Sequence, residues 1–363
     1  MRGHGVDRFD EYMTLESFEI VRVLLLSAIA FVVAFAWAPL LIRSLEHWKV
    51  GKSIRTFIDA PIFAKLHEKK RGTPTMGGIL VWATVLFLAV IFYYIIPFFS
   101  QDSLFAHLNF LSRSETLLPL GALVASAIVG FIDDYFNVRG IGPKGGGLRM
   151  RHRILIYTVI ALVGAWWFRV KLDWDLLHVP FIGDFNIGFW YVPFFLLVIV
   201  STAFSVNETD GLDGLAGGAL LTSFGAYAII AFAQGHYDLA VFCGVILGAL
   251  LTFLWFNIHP ARFFMGDTGA MSLGVTLGIV AMLTNSALFL PIIGFIFVLE
   301  SLSVIVQIVS RKVFKKRLFK SSPVHHHLEA IGWPEPQIVM RAWVVSMIAA
   351  AIGVSLVLLD ALI

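Results

Sequence analysis

Apolar residues fall in runs of about 20 along almost the whole chain, and short polar segments separate them. A bilayer core takes roughly 20 apolar helical residues to cross, so each run predicts a spanning helix. Ten are read, near 18–42, 77–98, 115–132, 154–168, 189–206, 212–233, 238–256, 268–285, 288–310 and 342–362. Phe289–Val309 is clear; the fourth run is short, and the fifth and sixth nearly touch. The predicted fold is all-α: a polytopic integral membrane protein with residues 1–363 as one membrane-embedded catalytic domain and 1–17 as a polar tail. The tail mixes acids with bases and has no cleavage motif, so the first helix is expected to stay in place.

Composition narrows the class. The 363 residues are 58% hydrophobic and 14% charged, where a soluble domain carries about 25% charged. With 33 Phe and 10 Trp, too little polar surface remains to cover a water-soluble globule. A soluble enzyme, a disordered protein and a nucleic-acid-binding domain are excluded. The single cysteine, Cys243, excludes an intramolecular disulfide framework and a Cys-rich zinc site.

The net charge of +3 says little as a sum, but its distribution orients the chain. Of 27 Lys and Arg residues, 21 lie in 43–71, 139–153, 311–341 and at Arg262; six lie on the other side. The positive-inside rule then puts these loops in the cytoplasm and both termini outside. Two basic segments, Lys52–Leu66 and Arg311–Lys320, interleave cations with apolar residues. Each reads equally as a headgroup-layer segment or as ordinary loop charge.

Ionisable groups in apolar runs mark functional sites, because the bilayer penalises them. Asp133 and Asp134 end the third run, Asp210 and Asp213 open the sixth, and Asp267 opens the eighth. The orientation brings all five to the cytoplasmic side. For Asp267, capping a helix N-terminus is an equal alternative. Asp210 and Asp213, spaced i, i+3, would share a helix face. The Asp133–Asp134 pair sits where a helix C-terminus disfavours anions, so it needs cations or a metal. Carboxylate oxygens suit Mg²⁺ completed by water and phosphate. Cations Lys65, Lys69, Lys70, Arg71, Lys144, Arg149, Arg151 and Arg153 line the same side, and together these groups describe a phosphate-transfer site. The run Gly142–Gly147 reads as a flexible loop before a phosphate cradle. The triplet His325, His326 and His327 cannot face one metal from a helix, where neighbours point about 100° apart. A diphosphate contact, a proton shuttle and a plain polar loop all stay open.

In order, Lys70-Arg-Gly-Thr-Pro-Thr-Met-Gly-Gly78, Asp133-Asp134, Asn207-Glu-Thr-Asp-Gly-Leu-Asp-Gly-Leu-Ala216, Phe264-Met-Gly-Asp-Thr-Gly269 and His325-His-His327 resemble the polyprenyl-phosphate hexose-1-phosphate transferase superfamily (glycosyltransferase 4 type). Within it they resemble the phospho-N-acetylmuramoyl-pentapeptide transferase family, over residues 18–362. The resemblance implies a Mg²⁺-dependent enzyme of the bacterial cytoplasmic membrane. It would move phospho-MurNAc-pentapeptide from UDP-MurNAc-pentapeptide to undecaprenyl phosphate, giving lipid I and UMP. Carried over by position, Asp267 is the implied Mg²⁺ ligand and Asp133 and Asp134 the catalytic pair, with His325, His326 and His327 beside the diphosphate. Lys70, Thr75, Asn207, Asp210, Leu212, Asp213, Asn257 and Phe264 fall on nucleoside- and phosphate-binding positions. Glu300 and Gln307 match the helix beside the lipid groove. The family is often dimeric; no feature of this sequence argues a homodimer.

The chain departs from the pattern at Phe204 and Glu208, where the family has Asn and Leu, and at Asn137 and Arg153, where it tends to have Lys. An added anion and a lost cation both weaken phosphate attraction. Two other readings stand beside this one. A sibling enzyme would load N-acetylglucosamine 1-phosphate, but that group tends to break the His triplet with Arg. A cation-coupled transporter would place its acids near the bilayer midplane, whereas these gather at one surface.

Overall fold

The computed structural model describes residues 6–51, 70, 72–95, 98, 108–113, 115–142 and 146–363, with 6–15 as backbone only. Lys52–Leu66, Lys69, Arg71 and Lys144 lie outside these residues. Helix α1 spans Val6–His47, α2 Ile79–Ile95, α3 Leu117–Val138 and α4 Met150–Lys171. A small antiparallel hairpin follows, β1 (Leu176–Val179) against β2 (Gly183–Asn186), which the apolar pattern does not announce. Then come α5 Tyr191–Thr209, α6 Leu215–Ala233, α7 Tyr237–Asn257, α8 Gly266–Leu283, α9 Leu290–Ile293, α10 Phe295–Val309, α11 Val324–Ala330 and α12 Glu335–Asp360.

Among the described residues, eight helices are long and apolar enough to cross a membrane, nine if one bent pair is a single span; Ile79–Ile95 is a shorter apolar helix. The polytopic all-α architecture expected from the sequence is what the chain adopts. The ninth predicted run is corrected. It is not one straight helix over 288–310, because Ala287–Ile293 and Phe295–Phe314 meet at 84°. Gly294 stands at the break, with φ −95° and ψ 34°, and Pro291 lies in the first turn of α9. Sharp kinks arise at such residues. Hydropathy is blind to this one because both arms are apolar.

Helix α8 is the hub: every residue but Asp267 is buried, and it packs against α3 and α5. Helices in lipid gain no hydrophobic drive from pairing, so close backbone packing through small residues matters more. At Gly130 a Cβ would lie 2.3 Å from the Asp267 carbonyl oxygen, so α3 touches the first turn of α8 backbone to backbone. That contact sets Asp133 and Asp134 beside Asp267. Two expectations about helix ends are also corrected. Helix α3 runs on to Val138, so the acid pair lies within its last turns. Asp210 and Asp213 share no helix face, because α5 stops at Thr209 and α6 begins only at Leu215.

Candidate active site

Asp133 and Asp134 are buried, at 0% and 3% exposure. Asp134 Oδ2 accepts the Thr268 N–H at 3.0 Å, and its Oδ1 faces the Thr75 hydroxyl at 3.5 Å. Asp210 Oδ2 accepts the Gly266 N–H at 3.2 Å. The first turn of α8 is thus capped from outside by two acids, which meet its unpaired donors and its positive end. Asp267 does not cap. Its Oδ1 accepts Asn207 Nδ2 at 2.6 Å and its Oδ2 accepts Arg153 Nη2 at 2.8 Å.

Arg153, from the first turns of α4, joins these groups. Nη1 donates to Asn207 Oδ1 at 3.1 Å, and Nε lies 2.7 Å from Asp133 Oδ2. Asp133 Oδ1 accepts the Leu148 N–H at 2.5 Å. The departures at Phe204 and Glu208, both half-buried on α5, leave Asn207 in reach of Asp267. Asn137 sits on the last turn of α3 against Gly146.

A second group lies across the 210–214 turn. Lys70 Nζ is 2.6 Å from Asp213 Oδ1, also pairs with Glu335 Oε1, and lies 5.8 Å from the centre of the Phe264 ring. Asp213 Oδ2 contacts His259 Nδ1 at 3.0 Å and accepts the Ala261 N–H at 3.1 Å. Leu212 is buried. Asn257 accepts the Gly214 N–H at 2.9 Å and donates to the Phe263 carbonyl at 2.7 Å, so its amide ties two loops together. Glu335 escaped the sequence reading. An acid after Trp333-Pro334 signals a helix start, and nothing local points to a lysine 265 positions away.

The three histidines take different partners, although the His325 and His326 rings lie 4.1 Å apart, centre to centre. His325, at 1% exposure, sets Nδ1 2.9 Å from Glu300 Oε2. Its Nε2 has no hydrogen-bond partner and points at Gly211, where a Cβ would lie 2.2 Å from it. His326 Nδ1 contacts Glu329 at 2.7 Å, and His327 Nδ1 accepts the Lys320 N–H at 3.2 Å. Gln307 accepts from Leu318 and Phe319 at 3.1 and 3.0 Å and donates to the Phe319 carbonyl, which pins the loop after α10.

Two places could hold a metal. Asp213, His259 and Glu335 bring three ligand atoms within 4.8 Å of one another, the one such group among the described residues. Lys70 pairs with both carboxylates there, as Arg153 does with Asp133 and Asp267, and one of the three donors is an imidazole nitrogen. Asp133 and Asp267 offer hard oxygen donors, and Asp133 Oδ2 is buried without a hydrogen bond. That donor set fits an oxygen-seeking divalent ion better.

Known proteins resemble the chain over nearly its whole length. The family model "Glycosyl transferase family 4" matches residues 116–285, and the phospho-N-acetylmuramoyl-pentapeptide-transferase signature 1 matches residues 70–80. A phospho-N-acetylmuramoyl-pentapeptide-transferase of Chloroflexus aurantiacus is 39% identical over 354 residues, 94% of this chain and 91% of its own. The chain belongs to the phospho-N-acetylmuramoyl-pentapeptide transferase family. Enzymes of the same name from a Geobacillus species (39% over 327 residues, 90% and 95% of the two chains) and Desulfatibacillum aliphaticivorans (36% over 375, 97% and 98%) extend the match. A member of this family is a transferase, and this one is a multi-pass membrane protein. Of the three readings of the sequence, the full-length similarity favours the first.

Proposed function

We propose that the chain transfers phospho-MurNAc-pentapeptide from UDP-MurNAc-pentapeptide to undecaprenyl phosphate. The reaction takes place at the cytoplasmic face of the bacterial inner membrane. The carrying observation is that two polar groups are joined by the 210–214 turn, Asp210 meeting the Gly266 N–H beside Asp267 and Asp213 meeting Lys70. Asp133, Arg153, Asn207 and Asp267 lie on one side of the 210–214 turn, and Lys70, Asp213 and Phe264 on the other. The excess of Lys and Arg in the loops at this end supports the cytoplasmic assignment.

In this reading an oxygen of the lipid phosphate attacks the phosphorus attached to the sugar. The bond from that phosphorus to the bridging oxygen of the diphosphate breaks, and UMP departs with the bridging oxygen. Asp133 takes the proton of the lipid phosphate, with Asp134 holding the first turn of α8 beside it. Lys70 and Asp213 receive the nucleotide, Phe264 offers a ring face to uracil beside Leu212, and Asn257 and Thr75 keep the surrounding loops in place. His325 and His326 face the diphosphate, with Glu300 fixing the His325 ring. Mg²⁺ held by Asp267, with Asp133 beside it, would offset the negative charge of two phosphates brought together.

The test is UMP release by detergent-purified protein given undecaprenyl phosphate, Mg²⁺ and UDP-MurNAc-pentapeptide, beside Asp267→Asn and an EDTA blank. Release should require the lipid, the metal and Asp267, and UDP-N-acetylglucosamine should not substitute. No release from folded protein with either sugar would refute the reading.

A further inference from the structure

Among the described residues, Arg153 alone pairs with both Asp133 and Asp267. Two of its three contacts are well-formed hydrogen bonds, to Asn207 and Asp267. The third is not. Arg153 Nε and Asp133 Oδ2 lie 2.7 Å apart, yet neither makes a hydrogen bond, because the N–H is not aimed at the oxygen. Asp133 is fully buried there and the arginine side chain is only 17% exposed. A buried ion pair offsets its desolvation only with good geometry, and this contact lacks it. One guanidinium thus contacts Asp133 Oδ2 through Nε and Asp267 Oδ2 through Nη2, the two carboxylates that would hold a divalent ion.

We propose that Arg153 is a displaceable counter-ion. It pairs with Asp133 and Asp267 until the nucleotide's diphosphate draws it away, so that metal binding and nucleotide binding are coupled through this side chain. The inference rests on the proposed reading of the site as a metal-assisted phosphate-transfer centre. The chemistry favours the exchange. Guanidinium binds phosphate through paired N–H donors, and here one of its donors is already unsatisfied. Once the side chain leaves, Asp133 and Asp267 would be free to hold a divalent ion, which would take over the charge that Arg153 had offset. Coupling of this kind is reciprocal, so the metal should equally promote nucleotide binding.

Mn²⁺ serves as the spectroscopic probe, titrated by electron paramagnetic resonance into the full-length protein in detergent, with and without UDP and without lipid acceptor. The chains compared are wild type, Arg153→Lys, Arg153→Gln and Asp267→Asn, each shown to be folded by thermal unfolding. Without UDP, Arg153→Lys should bind Mn²⁺ about tenfold tighter than wild type, because one ammonium nitrogen cannot bridge both carboxylates as the fork does. Arg153→Gln should bind tighter still. UDP should tighten wild type by a larger factor than either variant, even though UDP ligates Mn²⁺ itself in every case. Wild-type affinity in both variants, or an equal UDP factor in all chains, would overturn the proposal. So would an effect in Arg153→Gln with none in Arg153→Lys, which would assign it to net charge and not to bridging. If Asp267→Asn binds Mn²⁺ as wild type does, the metal reading of the site fails first and takes this inference with it.

Discussion

The candidate site and the hairpin at the opposite end of the bundle solve the same problem, holding acids in place, by different means. At the site end, partners come from distant parts of the chain: Arg153 and Asp267 are 114 positions apart, Thr268 and Asp134 are 134, and Lys70 and Glu335 are 265. Within the hairpin, partners are mostly local, whereas Asp238 and Glu115, at the starts of two other helices, find theirs 216 and 124 positions away. Arg169 pairs with Asp175, Asn186 Nδ2 donates to Asp175 at 3.0 Å, and His178 Nδ1 meets Asp184 at 2.7 Å across the hairpin. Longer reaches tie the hairpin to the bundle: Asp360 contacts His178 Nε2 and accepts the Phe181 N–H at 2.6 Å, and Asn285 Oδ1 accepts the His178 N–H at 3.1 Å. Local pairs survive small displacements of whole helices. A site assembled from α3, α4, α5 and α8 does not, and this is why its helices approach through glycine. Substitutions at the site end should therefore cost activity, while those at the hairpin end should cost at most a little stability.

Asp267→Asn gives the largest expected effect. It halves the charge offered to a metal and should lower UMP release about 10²–10³-fold, on the scale of losing a principal electrostatic stabiliser. Asp184→Asn at the hairpin, more than half exposed, should leave release within about twofold. Equal effects would erase the distinction between the ends. The glycines sharpen it. A Cβ at Gly211 meets His325 Nε2 at 2.2 Å, whereas one at Gly183 meets nothing within 4 Å and suffers only from its φ of +118°. Both alanine variants should lose about 1–3 kcal/mol of stability, from overpacking and from backbone strain respectively. Only Gly211→Ala should also lose turnover, measured as UMP release at a temperature where both remain folded.

Glu300→Gln comes next. Glu300 touches no reacting group in the proposed mechanism and acts by orienting His325, so it is a positioning residue. Removing its charge should lower turnover about tenfold, as loss of an orienting partner typically does, with the KM for the nucleotide changed less than twofold. A rise in KM with turnover intact would place Glu300 in binding instead.

What the sequence disclosed follows from which properties are local. Spans are legible because hydropathy is summed over one segment, and Asp133, Asp134 and Asp267 because an acid beside an apolar run is conspicuous. The partners are less so. Arg153 stands out in the sequence only as one of eight cations and as a replacement for a family Lys, since its bridging depends on where α4 meets α3 and α8. Glu335 reads as a helix-start acid until α12 is packed beside the 210–214 turn. The bend at Gly294 escapes because a lone glycine in an apolar helix is common and only the packing decides whether it breaks. Asp210 is a subtler case. Its acidity stands out in the sequence, yet the Gly266 N–H that it meets becomes available only when α8 begins there.

The smallest expected effect tests the hairpin end directly. Burial alone would lower the His178 pKa, but hydrogen bonds to Asp360 and Asp184 outweigh it and raise the imidazole above its ordinary value. A group whose folded pKa exceeds its unfolded one stabilises the fold fully below the unfolded value, and that contribution is lost as pH rises through the folded value. The clasp between the hairpin and the end of α12 should therefore hold in mildly acidic solution and weaken toward alkaline pH. Because the pair with Asp184 is partly exposed, its share is that of a surface ion pair, at most about 1 kcal/mol. The difference in Tm between wild type and His178→Gln, followed through neutrality into alkaline pH, should shrink toward zero. UMP release by the two proteins, compared at one pH, should stay equal. A Tm difference independent of pH would mean that His178 is held by packing and not by its charge. A change in UMP release would mean that the two ends of the bundle are mechanically linked.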